Sequence, residues 1–327
     1  MKVCICTKWK DYDASRTGKG FFAARLAKEL TTQGVDIVTP DVYADINLAI
    51  GKFNYEPNAR KTVLRLGAAH IDSNSDYKKL NKRKAKALKK ADGIVYQSVY
   101  SKMVCHAFIG TPTGQERVIF NGAEPNEFLI YPYKSPFKYN FLASAREWTP
   151  QKRLDTIITA YFEADIANSC LRICGNTKHK DNNLYSKKHT SCSVRYLGLV
   201  DRYTLASLYN LCDAMIDITW QSACPNSVAE ALVAGCPVIS SNDGGIHELG
   251  WSDKEHSAEA YHCMRCDEIW DMKRPINLRK PPEINLPGLV ENIKSFAKNE
   301  TYKFTYKTLH MQTIAKQYLE FFNELLK

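Results

Sequence analysis

No uncharged apolar run in this chain approaches the roughly 18–20 residues that a membrane span needs. Only four apolar residues, Val3-Cys4-Ile5-Cys6, precede Lys8, so no secretory leader is expected. No sequence repeat is visible. Glycine and proline, 16 and 13 of 327 residues, are too few for a collagen-like chain, and 44% apolar against 24% charged residues excludes disorder. Eleven cysteines, an odd number spread along the chain, fit reduced buried thiols in a cytosol better than a disulfide framework. At roughly 150 residues per domain, the length predicts two domains, each able to bury its own core.

What is present is a strand and helix alternation that runs twice. Residues 2–7 read as a buried first strand, and Phe22, Leu26 and Leu30 recur at helical spacing before Gly34. Strands are predicted at 35–38, 46–50, 62–66, 93–97 and 117–120, with helices near 77–90 and 99–108. Residues 129–139, with two prolines, read as a linker. The alternation restarts with strands at 139–145, 171–174, 193–197, 214–219 and 237–240 and helices at 154–162, 203–211 and 227–234. From about 308, Met311, Ile314, Ala315, Tyr318, Phe322 and Leu325 lie on one helical stripe. The expected fold is α/β: two facing Rossmann-like, doubly wound domains, 1–139 and 140–307, with an interdomain cleft at the carboxyl ends of both sheets. The last helix, 308–327, is expected to pack back on the first domain.

The residues that carry chemistry cluster in the second half. Arg146 and Lys152 follow a strand, where a planar fork and a point charge suit a diphosphate. Taken alone they also read as two solvated cations. Residues 222–230, Ser-Ala-Cys-Pro-Asn-Ser-Val-Ala-Glu, run into a short helix whose first amides can hold an anion. Ser227 and Glu230 have the spacing of a capping box, which would make Glu230 structural. Three weaker signals complete the set. Gly18-x-Gly20-x-x-Ala23 with Asp41 resembles a dinucleotide fingerprint, but its glycines come about ten residues after the first strand. Asp11-Tyr12-Asp13 is a lone D-x-D in a polar loop. Cys263-Met264-Arg265-Cys266 beside His262 is a single C-x-x-C without the second pair that a zinc site needs.

In this order, the segments 143–164, 194–218 and 224–250 resemble the carboxyl-terminal domain of glycosyltransferase family 4, retaining nucleotide-sugar enzymes of GT-B fold. Residues 17–30, 91–104 and 118–128 agree more loosely. The resemblance implies that Arg146 and Lys152 bind the donor's diphosphate and that Glu230, the second Glu of an E-x7-E motif, holds the ribose. It implies that Asn226, Ser227 and Val228 offer backbone amides to the phosphates or sugar. Gly18 and Gly20 match a loop that closes toward the donor, and Val200 lies where the base rests. The first motif Glu falls on Ser222, a neutral hydroxyl facing the transferred sugar. His70 lies in the loop after strand 62–66 that often carries a donor-facing His or Asp. The activity implied is retaining transfer from a UDP- or GDP-linked sugar to a glycan, lipid or other acceptor, with no metal and no other cofactor. The alternatives are a catalytically degenerate protein of this fold and, further off, an NAD(P)-dependent oxidoreductase.

The formal charge is +10. Residues 1–139 hold 23 Lys and Arg against 13 Asp and Glu, whereas residues 140–327 hold 22 of each. Residues 78–90 alone contribute eight basic residues and no acid. That helix reads either as a solvated face or as a peripheral contact with an anionic membrane or glycan, which would place a cytoplasmic protein at a membrane surface. No groove-reading or aromatic motif accompanies it, so nucleic acid is not an expected partner.

Overall fold

β-branched and aliphatic runs bounded by glycine and polar turns build two all-parallel sheets, each covered by helices on both faces. The computed structural model describes residues 1–6, 18–53, 56–128, 134–176, 192–253, 261–264, 272, 274–297 and 306–327. By mutual contact the chain divides into two units, Met1–Glu124 with Asp271–Asn277 and Thr308–Lys327, and Pro125–Trp270 with Leu278–Lys307.

The first unit runs β1 (Lys2–Cys6), α1 (Gly18–Thr32), β2 (Asp36–Ile37), β3 (Ala44–Ile50), β4 (Ala59–Leu66), α2 (Tyr77–Lys90), β5 (Gly93–Tyr96), α3 (Val99–Phe108) and β6 (Gln115–Val118). Its sheet order is β2-β1-β3-β4-β5-β6, so the winding direction reverses between β1 and β3. One face buries Phe22, Leu26 and Leu30 of α1 with Ile314, Tyr318 and Phe322 of the terminal helix. The other buries Ala87 and Leu88 of α2 with Cys105 of α3. Burying a side chain of this size contributes about 1.5–3 kcal/mol, so these stripes hold the helices in place.

The second unit runs β7 (Tyr139–Glu147), α4 (Leu154–Ala164), β8 (Ser169–Asn176), β9 (Cys192–Gly198), α5 (Arg202–Leu211), β10 (Ala214–Asp217), α6 (Asn226–Val233), β11 (Val238–Ser241), α7 (Ile246–Gly250), β12 (Tyr261–Met264) and α8 (Leu286–Phe296). The chain ends in α9 (Met311–Leu326), which packs on α1 of the first unit. The second sheet has the order β12-β11-β10-β7-β8-β9, and its winding reverses between β7 and β10. Gly175, with φ of 115°, lets β8 lie against β7; a Cβ there would come within 1.7 Å of the Ala145 carbonyl oxygen.

Several elements differ from the sequence expectation. The border between the units falls at Glu124/Pro125 and not at 139/140, because Phe128 meets Tyr209 edge to face at 5.9 Å and its carbonyl accepts from Asn210 Nδ2 at 2.9 Å. Buried Arg172 further ties Ser135 and Asn140 into the second sheet, donating at 2.9 and 2.7 Å. Around Ile276 the chain returns to the first unit, where Ser73 N–H donates to the Ile276 carbonyl at 2.7 Å. The sequence reading leaves out α8, whose Pro287-Gly288 resembles a breaker. Instead Pro287 occupies the first turn and the Asn285 side chain caps the helix, accepting from Gly288 N–H at 3.0 Å. The D-x-D at 11–13, and Arg265 and Cys266 of the C-x-x-C, lie outside the described residues, as do residues 129–133 of the expected linker. The nine cysteines whose side chains are described are all buried, and no disulfide occurs among the described residues.

Candidate functional site

At the carboxyl edge of the second sheet, the loops after β7 and β10 emerge side by side at the point where the winding reverses. Open α/β sheets bind ligands at such switch points. The two loops are laced together. Gln151 and Trp220 exchange hydrogen bonds, Trp220 N–H donating to the Gln151 carbonyl at 2.9 Å and Gln151 Nε2 to the Trp220 carbonyl at 2.6 Å. Arg153, buried and left-handed at φ 54°, donates to the Ile218 carbonyl at 3.0 Å and the Pro282 carbonyl at 3.1 Å. It also pairs with buried Asp243 at 2.8 Å. A residue whose charge and backbone are both costly thus fixes the base of the loop carrying Lys152.

Arg146 lies exposed near the end of β7, and Lys152 closes a single turn of 3-10 helix, Pro150–Lys152. Lys152 Nζ donates to the Glu147 carbonyl at 2.7 Å, which curls its side chain over this loop. Burial pushes the Lys152 ammonium below its ordinary range, while the carboxylates of Asp217 and Glu147 pull it back. Asp217, the last residue of β10, is buried, and burial raises its carboxyl above the usual range. Thr219 Oγ1 donates to it at 2.5 Å and Ser227 Oγ at 3.4 Å. One acid therefore joins the β10 loop, the first turn of α6 and, through its field, Lys152.

α6 starts at Asn226 with Pro225 as N-cap, so Ser227 sits one residue inside the helix and the capping box with Glu230 does not form. Ala229 N–H on the Pro225 carbonyl, 3.3 Å, is the first helical bond. The amides of Asn226, Ser227 and Val228 thus belong to the turn whose N–H groups look outside the helix for partners. Val228 is fully buried; Asn226, Ser227 and Glu230 are half-buried. The half-buried Ser222 accepts at its carbonyl from Gly245 N–H, 2.7 Å. Gly244, at φ 66°, permits that approach, since a Cβ there would stand 2.5 Å from the Ser222 oxygen. Val200, half-buried, follows the β9 end, where Gly198 takes φ 67°.

Arg146 near the end of β7, Lys152, Val200 and Ser222 on loops after strands, and Asn226, Ser227, Val228 and Glu230 on α6 all belong to the second unit. The sequence expectation that Arg146 follows the strand is corrected: it lies inside β7. Gly18 and Gly20, in the first turn of α1, belong to the first unit and are not part of this group. Asp41, the acid a dinucleotide reading requires, is exposed in the turn after β2. Sequence reasoning missed Arg153, Asp217, Asp243 and Gln221. Gln221 holds φ 53° with a buried, unpartnered Oε1, a strained and unsatisfied residue beside Ser222. Only Asp217, an acid at a strand end before a polar turn, had a visible signal.

The two units, their parallel sheets and their helices are those of the GT-B glycosyltransferase structures, and they define the class of fold. Residues 138–258, most of the second unit, match the family model described as glycosyl transferases group 1. Sucrose-phosphate synthase from Thermosynechococcus elongatus is similar at a TM-score of 0.65 and 14% identity, over 99% of this chain and 98% of that one. AviGT4, a glycosyltransferase involved in avilamycin A biosynthesis, is similar at 0.61 and 15%, over 99% and 98%. Anabaena HepE, solved in complex with UDP, is similar at 0.56 and 14%, over 99% of each chain. No curated protein matches the chain in sequence.

Proposed function

We propose that the chain is a glycosyltransferase that moves a sugar from a UDP- or GDP-linked donor to a glycan or lipid-linked acceptor, with retention and without a metal. The observation that carries this reading is the lacing of the Lys152 loop, Asp217 and the first turn of α6 at one switch point. That arrangement suits a leaving diphosphate. Negative charge grows on it as the glycosidic bond breaks, and fixed cations and amide dipoles stabilise such charge without reorganising. Arg146 and Lys152 supply the cations, the amides at 226–228 the dipoles, Glu230 the ribose contact and Val200 the wall against the base. The group 1 family match over these residues and the UDP-bound structural neighbours support this assignment.

Retention follows, in this reading, from attack on the same face of the sugar, with the departing phosphate taking the acceptor's proton. No side chain then needs to be a strong base. Ser222, in the place of the first motif Glu, favours a second reading in which the chain binds the donor without turning it over. In this reading the protein works in the cytoplasm, its basic α2 contacting an anionic surface that carries the acceptor. Among the described residues, no helix is long and apolar enough to cross a membrane.

A thermal-shift screen of UDP- and GDP-sugars, followed by hydrolysis and transfer assays, tests the proposal, since a ligand of the folded state raises apparent stability. Arg146→Ala is expected to lower turnover by about a hundredfold or more while leaving stability unchanged, because Arg146 is exposed. Nucleotide binding with no turnover on any donor or acceptor would sink the enzyme reading in favour of the second. Unchanged affinity and turnover in Arg146→Ala would overturn the site.

A further inference from the structure

The first sheet has its own switch point, between β1 and β3, and cations gather there. Lys19, in the first turn of α1, reaches across to Gly51 at the end of β3; a Cβ on Gly51 would stand 3.0 Å from Lys19 Nζ. Arg65, near the end of β4, is only 1% exposed. Its guanidinium lies 3.7 Å over the Phe22 ring and donates to Asn121 Oδ1. With its oxygen turned inward, the Gln97 amide accepts from Arg65 Nη1 at 2.6 Å, while Nε is buried without a partner. No carboxylate pairs with this guanidinium among the described residues.

Just beyond β4 the chain is pinned to α2. Buried Asn81 accepts from His70 N–H and donates to the His70 carbonyl, both at 2.8 Å. Lys84 turns inward from the same helix and donates to the Ala68 carbonyl. Lys19 feels the charges of Arg65 and Lys52, and its own charge acts on His70 and Lys84. Burial and these like charges hold Lys19 below its ordinary range, Lys84 at about 8 and His70 at about 4.

A buried guanidinium bonded to neutral amides, with Lys19 near it and Lys84 near Lys19, is costly unless an anion completes the set. Phosphate esters carry about −1.5 to −2 at neutral pH and accept several charge-assisted hydrogen bonds, so they match more than one cation at once. We propose that the carboxyl edge of the first sheet, at Lys19, Arg65, His70 and Lys84, binds a dianionic phosphate group. Its assignment to the acceptor rests on the glycosyl-transfer reading above; the anion site itself stands on the first unit alone.

The test uses the full chain, inorganic phosphate and UDP in thermal-shift titrations at fixed ionic strength. Phosphate is expected to stabilise the wild type beyond sodium chloride. In the Lys19→Met/Lys84→Met double variant, half-saturation by phosphate should rise at least tenfold while the response to UDP persists, which also shows that the variant folds. Lys152→Met is expected to do the reverse. A wild type indifferent to phosphate, or an unchanged phosphate response in the double variant, overturns the site. So does loss of the phosphate response in Lys152→Met, which would assign it to the second unit. A phosphate response without any UDP response keeps the site and removes only the glycosyl-transfer reading. A phosphorylated monosaccharide that stabilises no more than inorganic phosphate overturns the acceptor assignment.

Discussion

Removing the Arg153 guanidinium should cost the second unit more stability than any change at the exposed cations beside it. The Arg153 and Asp243 side chains are 2% and 4% exposed and paired at 2.8 Å. Truncating one partner of such a pair leaves the other charge buried, a loss of about 3–5 kcal/mol. The carbonyls of Ile218 and Pro282 lose their donor as well. With a urea slope of about 2 kcal/mol/M, Arg153→Met should lower the unfolding midpoint by about 1.5–2.5 M. Trp148 and Trp220, which flank the affected loop, supply a fluorescence signal from this unit. Asp243→Asn should cost a similar amount, and the double variant much less than the sum, since neither charge is then left alone. Arg153→Gly should be more stable than Arg153→Met by about 1 kcal/mol, because glycine takes φ 54° without the Cβ penalty. A midpoint shift worth less than 1 kcal/mol for Arg153→Met, or simple additivity with Asp243→Asn, would refute this account of how the Lys152 loop is anchored.

Other tests address the first unit and the sheet edges. His70 should titrate near pH 4, well below its unfolded value, because burial and the charges of Lys84 and Lys19 disfavour the imidazolium. The folded state then binds fewer protons than the unfolded one. Stability should fall as pH drops from about 6.5 toward 4, and His70→Gln should flatten that slope; imidazole NMR should show the titration moving upward in Lys84→Met. Gly175→Ala should prevent the pairing of β7 with β8, since the 1.7 Å approach to the Ala145 carbonyl involves backbone and φ 115° suits only glycine; a folded, wild-type-like variant by circular dichroism would contradict it. Anionic vesicles should bind the protein at low salt and release it at high salt, Lys82→Glu/Lys86→Glu abolishing the binding; salt-insensitive binding would dismiss an electrostatic contact through α2.

Much of the architecture was legible because it follows from short-range pattern. The apolar stripe of α9, the all-buried strands and the glycine stop after α1 need only local periodicity, and α2 and α3 begin and end at the expected residues. The misses have physical causes. The β6 strand sits two residues before its expectation, at Gln115–Val118, because its backbone pairs with Gly93–Tyr96 of β5 and Glu116 accepts from Tyr96 Oη at 2.9 Å, contacts that no apolar pattern in Gln115-Glu116-Arg117 signals. The capping box failed because Pro225, already extended, serves as N-cap and leaves Ser227 to donate to Asp217. The Arg153–Asp243 pair joins residues 90 apart, and nothing in either segment's spacing reveals it. Site residues on loops were found by chemistry and order, but the residues that anchor those loops were not.

The excess of positive charge separates into two physical populations. Of the eight basic residues in 78–90, seven are exposed and Lys84 alone turns inward. The exposed seven lie on a solvated helix, where potentials are screened over about 8 Å at physiological salt. Lys84 is half-buried and Arg65, beside exposed Lys19, is wholly withdrawn from water, where screening is weaker and each unpaired charge costs more. Salt therefore distinguishes their roles. A contact made by the outer face weakens steeply as salt rises, while an anion held by the inner group loses much less. The same net charge thus supports a broad, salt-sensitive attraction and a local, salt-resistant site, and only the second can select one ligand chemistry over another.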